Sequence, residues 1–154
     1  MLAADNGFYV GTFYHALDAK NRLTIPAKWR FPGDEQETSY LGLPNPSGCI
    51  TMYPPEMMAR IQEKIKGVSL LGGAAQLRPV TRLFARAERV GCDKQGRVGL
   101  SASLLEAVGL VRDTVLVGTI TAFHIWEPKR YAQFLAENPE EAVDDTAVFQ
   151  QFGL

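Results

Sequence analysis

Only two cysteines, Cys49 and Cys92, stand in the 154 residues, and no Cys-x-x-Cys pair occurs. That excludes a disulfide framework and suits a reducing compartment, with both thiols expected as small buried residues. No apolar run approaches the ~18 to 20 residues that span a bilayer, and the residues before Asp5 offer neither a basic stretch nor an apolar core for secretion. A cytoplasmic protein with no membrane partner is therefore expected. Catalytic signatures are missing too: there is no nucleophile elbow, no P-loop and no His-Glu-x-x-His helix. Gly72-Gly73 reads as a linker element, and neither His15 nor His124 has the setting of a triad. His15, His124, Cys49 and Cys92 make four conceivable zinc ligands, but none lies at a ligand-pair spacing. No catalytic residue, metal or cofactor is expected.

What is present is ordinary globular material, 46% hydrophobic and 21% charged, enough for one core or for two small modules sharing one. The net charge of −1 hides an uneven distribution. Residues 1–55 carry five acids and four bases, 56–97 carry four acids and nine bases, and 98–154 carry eight acids and three bases. Basic character is concentrated in the middle of the chain, and an acidic C-terminal part masks it.

The chain also repeats itself. Asp18 to Pro26 overlies Asp93 to Ser101 at an offset of 75, matching Asp to Asp, Arg22 to Arg97, and apolar to apolar at alternating positions. At an offset of 73, Ile50 to Pro55 falls on Phe123 to Pro128, giving an apolar strand, an aromatic and a proline in both. Order and spacing persist over about 40 residues, the mark of a duplicated module.

Each copy has a readable local structure. Asn21 and Gly96, just before the arginines, are the residue types that most readily take positive φ, so a tight turn is expected there, with the arginine opening a strand. A brief helix follows, begun at Pro26 in the first copy; in the second, Ser103 with Glu106 suggests a capping box and Gly109 a stop. Strands are expected at Tyr40 to Leu43 with Cys49 to Tyr53, and at Thr114 to Thr119 with Ala122 to Trp126. Proline-led helices follow at Pro55 to Lys66 and Pro128 to Glu137. Gly67 to Ala75 reads as a small-residue linker, and Asn138 to Leu154 as an acidic, then apolar, docking or partly disordered tail. Trp29, Tyr53, Phe123 and Trp126 read as core aromatics. Arg78, Arg82 and Arg86 form a stripe at helical spacing, open to phosphate, to a neighbouring subunit or to solvent. Two units too small to bury their faces alone are expected to pair within the chain into one α+β barrel, with the two signatures as neighbours on one surface.

The frame Gly-x-x-x-His-x-x-Leu-Asp-x-Lys-x-Arg-x-x-Ile-Pro (Gly11 to Pro26), with Cys-Ile-x-x-Tyr-Pro (Cys49 to Pro54), Asp93-x-x-Gly-Arg97, Leu-Val-Gly (Leu116 to Gly118) and Phe-x-Ile-Trp (Phe123 to Trp126), resembles the bacterial MraZ proteins. Asn21, Ser101 and His124 replace the glycine, proline and glutamate usual in that family. The resemblance implies two swapped-hairpin modules like those of AbrB, over 12–57 and 87–130, with a helix and linker at 58–86 and a C-terminal helix and acidic tail at 131–154. It implies a ring-shaped homo-oligomer, octameric or dodecameric, associated with the nucleoid. It further implies a sequence-specific transcriptional regulator of the repressor type, acting on the division and cell-wall gene cluster through repeated promoter sites in double-stranded DNA.

Carried over by position, the DNA-binding residues are Lys20, Arg22, Lys94 and Arg97, and the loop-supporting residues are Asp18, Asn21, Asp93 and Gly96. An arginine fork suits phosphate or the O6 and N7 of guanine, and lysines add phosphate contacts. Phosphate repels the aspartates, so their expected task is to accept loop amides and steady the turn. For one copy alone, a structural salt bridge locking a hairpin is the favoured reading; duplication and adjoining lysines shift it to binding. The alternative function is a ring-forming scaffold whose loops meet acidic partners.

Overall fold

Leu23 and Val98, each one residue past a signature arginine, have no exposed surface, and they face one another across two three-residue strands. These strands are β2 (Arg22–Thr24) and β6 (Arg97–Gly99). The computed structural model describes residues 7–30, 38–137 and 145–154. The stretch before Asp5 and the acidic residues 138–144 of the tail lie outside the described residues.

The remaining strands are β1 (Thr12–Ala16), β3 (Thr38–Pro44), β4 (Ile50–Tyr53), β5 (Glu88–Cys92), β7 (Asp113–Gly118) and β8 (Phe123–Trp126). They join in the order β1-β7-β8-β4-β3-β5-β6-β2, with every pairing antiparallel. Exchanging each strand of one copy for its counterpart, β1 for β5 through β4 for β8, leaves this order unchanged once β1 meets β2. The two copies are thus related by a pseudo-twofold axis, and the sheet is a nearly closed barrel that removes most of its own edges. β1 pairs with β7, β2 with β6, β3 with β5 and β4 with β8, so each copy completes its sheet with strands of the other. The α+β, pseudo-symmetric barrel expected from the repeat and the family resemblance is the fold observed.

The interior is aromatic where the copies meet. Trp29 of the first copy and Phe123 of the second lie 5.1 Å apart between ring centroids, with Tyr9, Phe13 and Tyr40 around them. Trp29 also donates its indole N–H to the Val10 carbonyl at 3.0 Å. Trp126 lies in a second, smaller cluster with Cys49 and Val115. Trp29, Trp126 and Phe123 are core residues as read from the sequence, whereas Tyr53 is only half-buried. Both cysteines are buried.

The helices are α1 (Met58–Leu71), α2 (Ala74–Phe84), α3 (Ala102–Val108), α4 (Pro128–Ala136) and α5 (Asp145–Phe152). Pro26 stands before a single 3₁₀ turn, Ala27–Trp29, rather than inside a helix. Gly109 closes α3 at φ 72°, as its position suggested. Two further sequence readings need correction. Ser101, not Ser103, caps α3: its Oγ accepts the Leu104 amide at 3.1 Å and donates to Glu88 at 2.7 Å. The short β6 ends at Gly99 and leaves Ser101 at the helix start, so the pairing of strands, not the local motif, sets the cap. Nor is Gly67 to Ala75 a linker. Helix α1 runs through Gly67 to Leu71, and only Gly72 and Gly73 separate it from α2. A lone glycine on an exposed helical position costs only about 1 kcal/mol against alanine, too little to end a helix. Among the described residues, no helix is long and apolar enough to cross a membrane.

Candidate nucleic-acid interface

Both signatures fold into the same turn. The Asp18 amide donates to the Arg22 carbonyl at 2.9 Å and the Asn21 amide to the Asp18 carbonyl at 3.0 Å; Asp93, Arg97 and Gly96 make the same pair at 2.9 and 3.0 Å. Closing this four-residue turn requires a left-handed residue, supplied by Asn21 at φ 58° and Gly96 at φ 80°. A Cβ at Gly96 would fall on the end of the Arg30 side chain, so a larger residue there would have to displace that guanidinium.

Each aspartate holds its arginine. Asp18 Oδ1 accepts the amides of Lys20 (2.9 Å) and Arg22 (2.8 Å), and its Oδ2 accepts Arg22 Nε at 2.7 Å. Asp93 accepts the amides of Gln95 (2.9 Å) and Arg97 (3.0 Å) and Arg97 Nε at 2.9 Å. The arginine side chains remain 33% and 31% exposed. Such an ion pair near water contributes little alone, so the amide bonds do more to order the turn. Using Nε leaves the two terminal nitrogens of Arg22 with no partner among the described residues. In the second loop Arg97 Nη2 donates to Gln95 Oε1 at 2.9 Å.

The amide of the signature arginine is the largest influence lowering each carboxyl below its ordinary value of 3.8, against an opposing effect of desolvation. A lowered folded-state value means the ordering is fully present above the unfolded carboxylate range and is lost as pH falls through the folded value. We expect the Arg22 and Arg97 amide resonances to titrate with midpoints below 3.8. Midpoints at or above that value would contradict the turn geometry.

Strand pairing sets the two loops side by side. Arg22 lies opposite Gly99 and Arg97 opposite Thr24, so the arginines are diagonal neighbours, about 7–8 Å apart at the backbone. With Leu23 and Val98 turned to the core, both arginines take the outer face. Crossed bonds lock the loops together: the Ile25 amide donates to the Gly96 carbonyl at 2.7 Å and the Leu100 amide to the Asn21 carbonyl at 3.0 Å. Arg22, Arg97 and Asp93 line one hollow of about 280 Å³.

Lys20 and Lys94 are exposed in the turns, but they are not equivalent. Gln95, not Lys94, occupies the place of Lys20, and its amide and side chain both serve the turn. Arg30 braces the second loop, its Nη2 donating to the Lys94 carbonyl at 3.4 Å. Sequence reading missed both residues. Gln95 was signalled by the 75-residue offset, whereas nothing in sequence links Arg30 to a loop 64 residues on.

The residues weighed as metal ligands serve other ends. His15 Nδ1 lies 2.7 Å from the Thr24 carbonyl, and His124 bridges Thr51 and Thr119 hydroxyls at 3.0 and 2.9 Å. Burial lowers the His124 pKa and raises that of Cys49 to about 11. Among the described residues no three His, Cys, Asp or Glu side chains form a group able to hold a metal ion. Arg78 and Arg82 lie on α2, while Arg86 lies beyond its end.

Known proteins share this architecture of sequence. The family described as "MraZ protein, putative antitoxin-like" matches residues 83–151. A protein of Lactobacillus gasseri named transcriptional regulator MraZ is 37% identical over 140 residues, covering 90% of this chain and 94% of its own. Its namesakes in Lactiplantibacillus plantarum and Symbiobacterium thermophilum are 38% and 36% identical, covering 84% and 85% of this chain and 89% and 92% of theirs. With identity at this level over nearly the whole length of both partners, the chain belongs to the MraZ family.

Proposed function

We propose that this protein is a cytoplasmic, nucleoid-associated transcriptional regulator that binds double-stranded DNA through the surface carrying Arg22 and Arg97. The observation that carries the reading is the β2–β6 pairing, which sets two pre-oriented arginines side by side on an outward face. A guanidinium already held in place loses less freedom when it grips a guanine edge or a phosphate. Lys20 and Lys94 flank them as phosphate contacts, while Asp18, Asn21, Asp93 and Gly96 keep the turns. Relatives named as transcriptional regulators support the same role.

One such surface binds weakly, since non-specific contacts give only about 10⁻⁴ to 10⁻⁶ M. A ring of eight or twelve copies, the assembly its family resemblance suggests, raises effective concentration at repeated promoter sites. The proposed action is repression of the division and cell-wall gene cluster by occupying such repeats.

Salt dependence tests the reading. Each phosphate neutralised adds about −0.9 to the slope of log affinity against log salt. Four basic side chains per surface therefore predict a slope of about −3 to −4 for one engaged chain, steeper for more. A duplex carrying promoter repeats should show it in fluorescence anisotropy; no binding at low salt, or a flat dependence, would contradict it.

A further inference from the structure

Three arginines outside the duplicated signatures converge on one cavity. Arg82 and Arg86, from α2 and the turn after it, and Arg130 of α4 line a cleft of about 520 Å³ with Pro46, Pro79 and Leu83. Among the described residues no carboxylate lines this cleft and none forms an ion pair with these arginines. Glu127, at the start of α4, accepts the Lys129 and Arg130 amides at 2.9 and 3.0 Å and lines a separate hollow. Like charges facing a shared space repel, and although Glu127 feels the charge of Arg130, no carboxylate among the described residues lines the space the three arginines share.

One of the three lies over the end of α3. Arg130 packs against the left-handed Gly109 that ends α3, where a Cβ would come within 3.1 Å of its Cζ. The cleft is also unrelated to the DNA surface. The position 73 residues before Arg130, at the offset of this part of the repeat, is Met57, so the other copy offers no equivalent arginine. It lies at the Pro44 end of β3, six residues or about 20 Å from Thr38, which pairs with Cys92 beside the second loop.

We propose that this cleft is a binding site for a phosphorylated small molecule of the nucleoside di- or triphosphate class. Arginine forks match phosphate oxygens with paired hydrogen bonds, and two or more phosphates suit three converging cations. Pro46, Pro79 and Leu83 give an apolar wall for a flat ring, and the volume falls in the range of small-molecule sites. Concavity favours a compact ligand over a rigid duplex. Because the cleft spans the β3–β4 turn of the first copy, the connecting α2, and α3 and α4 of the second, its occupant would tie both copies together.

Isothermal titration calorimetry of the full chain with ADP, inorganic pyrophosphate and adenosine at low ionic strength tests the assignment. ADP and pyrophosphate should saturate one site per chain, and adenosine should give no saturable heat. Arg82→Gln with Arg130→Gln should weaken ADP at least about tenfold, and Arg86→Gln alone, at an exposed position, should weaken it measurably. Duplex DNA affinity should hold in both cleft variants, and ADP binding should hold in an Arg22→Ala/Arg97→Ala variant. The proposal is overturned by no saturation with ADP or pyrophosphate, or by undiminished ADP binding in the Arg82→Gln/Arg130→Gln protein. Loss of ADP in the loop variant, or parallel loss of duplex and ADP in the cleft variants, overturns it too, since either places the phosphates on the DNA-binding surface. A protein that bound ADP but no duplex would sink the DNA reading alone.

Discussion

Trp29→Ala is expected to destabilise the whole barrel by about 3–5 kcal/mol, the usual cost of emptying a fully packed aromatic site. Trp29 is only 1% exposed and touches aromatic residues from both copies, Phe123 of the second among them. Against a total stability of about 5–15 kcal/mol for a small protein, that is a large fraction. The swap adds a sharper expectation. Each copy completes its sheet with strands of the other, so neither half can unfold while the other stays intact. The chain holds two tryptophans, and removing Trp29 leaves Trp126, in the second copy, as the only one. In urea, Trp126 fluorescence in the variant should therefore shift its midpoint downward by about 1 M or more, given slopes of roughly 1–3 kcal/mol per molar. A Trp126 transition left at the wild-type midpoint would mean that the halves fold independently, and the swapped barrel would be wrong.

The duplication was open to sequence reading because the signature turn constrains chemistry at fixed spacing. An aspartate must reach amides two and four residues on, the residue before the arginine must take positive φ, and the next must be apolar to enter the core. Asn21 and Gly96, then Leu23 and Val98, show these demands directly. What sequence did not reveal depends on contacts between distant segments. The cap at Ser101 follows from where β6 stops, and β6 stops where it pairs with β2. The brace from Arg30 crosses between the copies, and no local pattern announces it. The arginine cleft joins a turn, a connecting helix and two helices of the second copy. The spacing of Arg78, Arg82 and Arg86 showed a helical stripe but not that Arg130 would meet two of its members. Continuation of α1 through Gly67 was hidden because a tolerated glycine and a linker glycine look alike in sequence.

The paired signature arginines carry the functional account, and their joint removal has the largest expected consequence for it. Each bidentate arginine contact to a base contributes about 1–3 kcal/mol of discrimination, and each phosphate contact contributes to the salt slope. Losing both should cost about 2–6 kcal/mol per engaged chain, roughly 30-fold to 10⁴-fold in affinity, and the loss multiplies where several chains bind repeats together. Since the arginines are partly exposed and Leu23 and Val98 hold the strands from inside, the variant should keep its fold. Charge alone does not explain the expected loss, because the acidic residues of 98–154 keep the net charge small and negative with or without the substitutions. The direct measurement is the anisotropy of a labelled promoter-repeat duplex titrated with wild type and with Arg22→Ala/Arg97→Ala at several salt concentrations, the fold of each being checked by circular dichroism. The account predicts at least about 30-fold weaker binding and a shallower salt slope in the folded variant; unchanged affinity with an unchanged slope would contradict it.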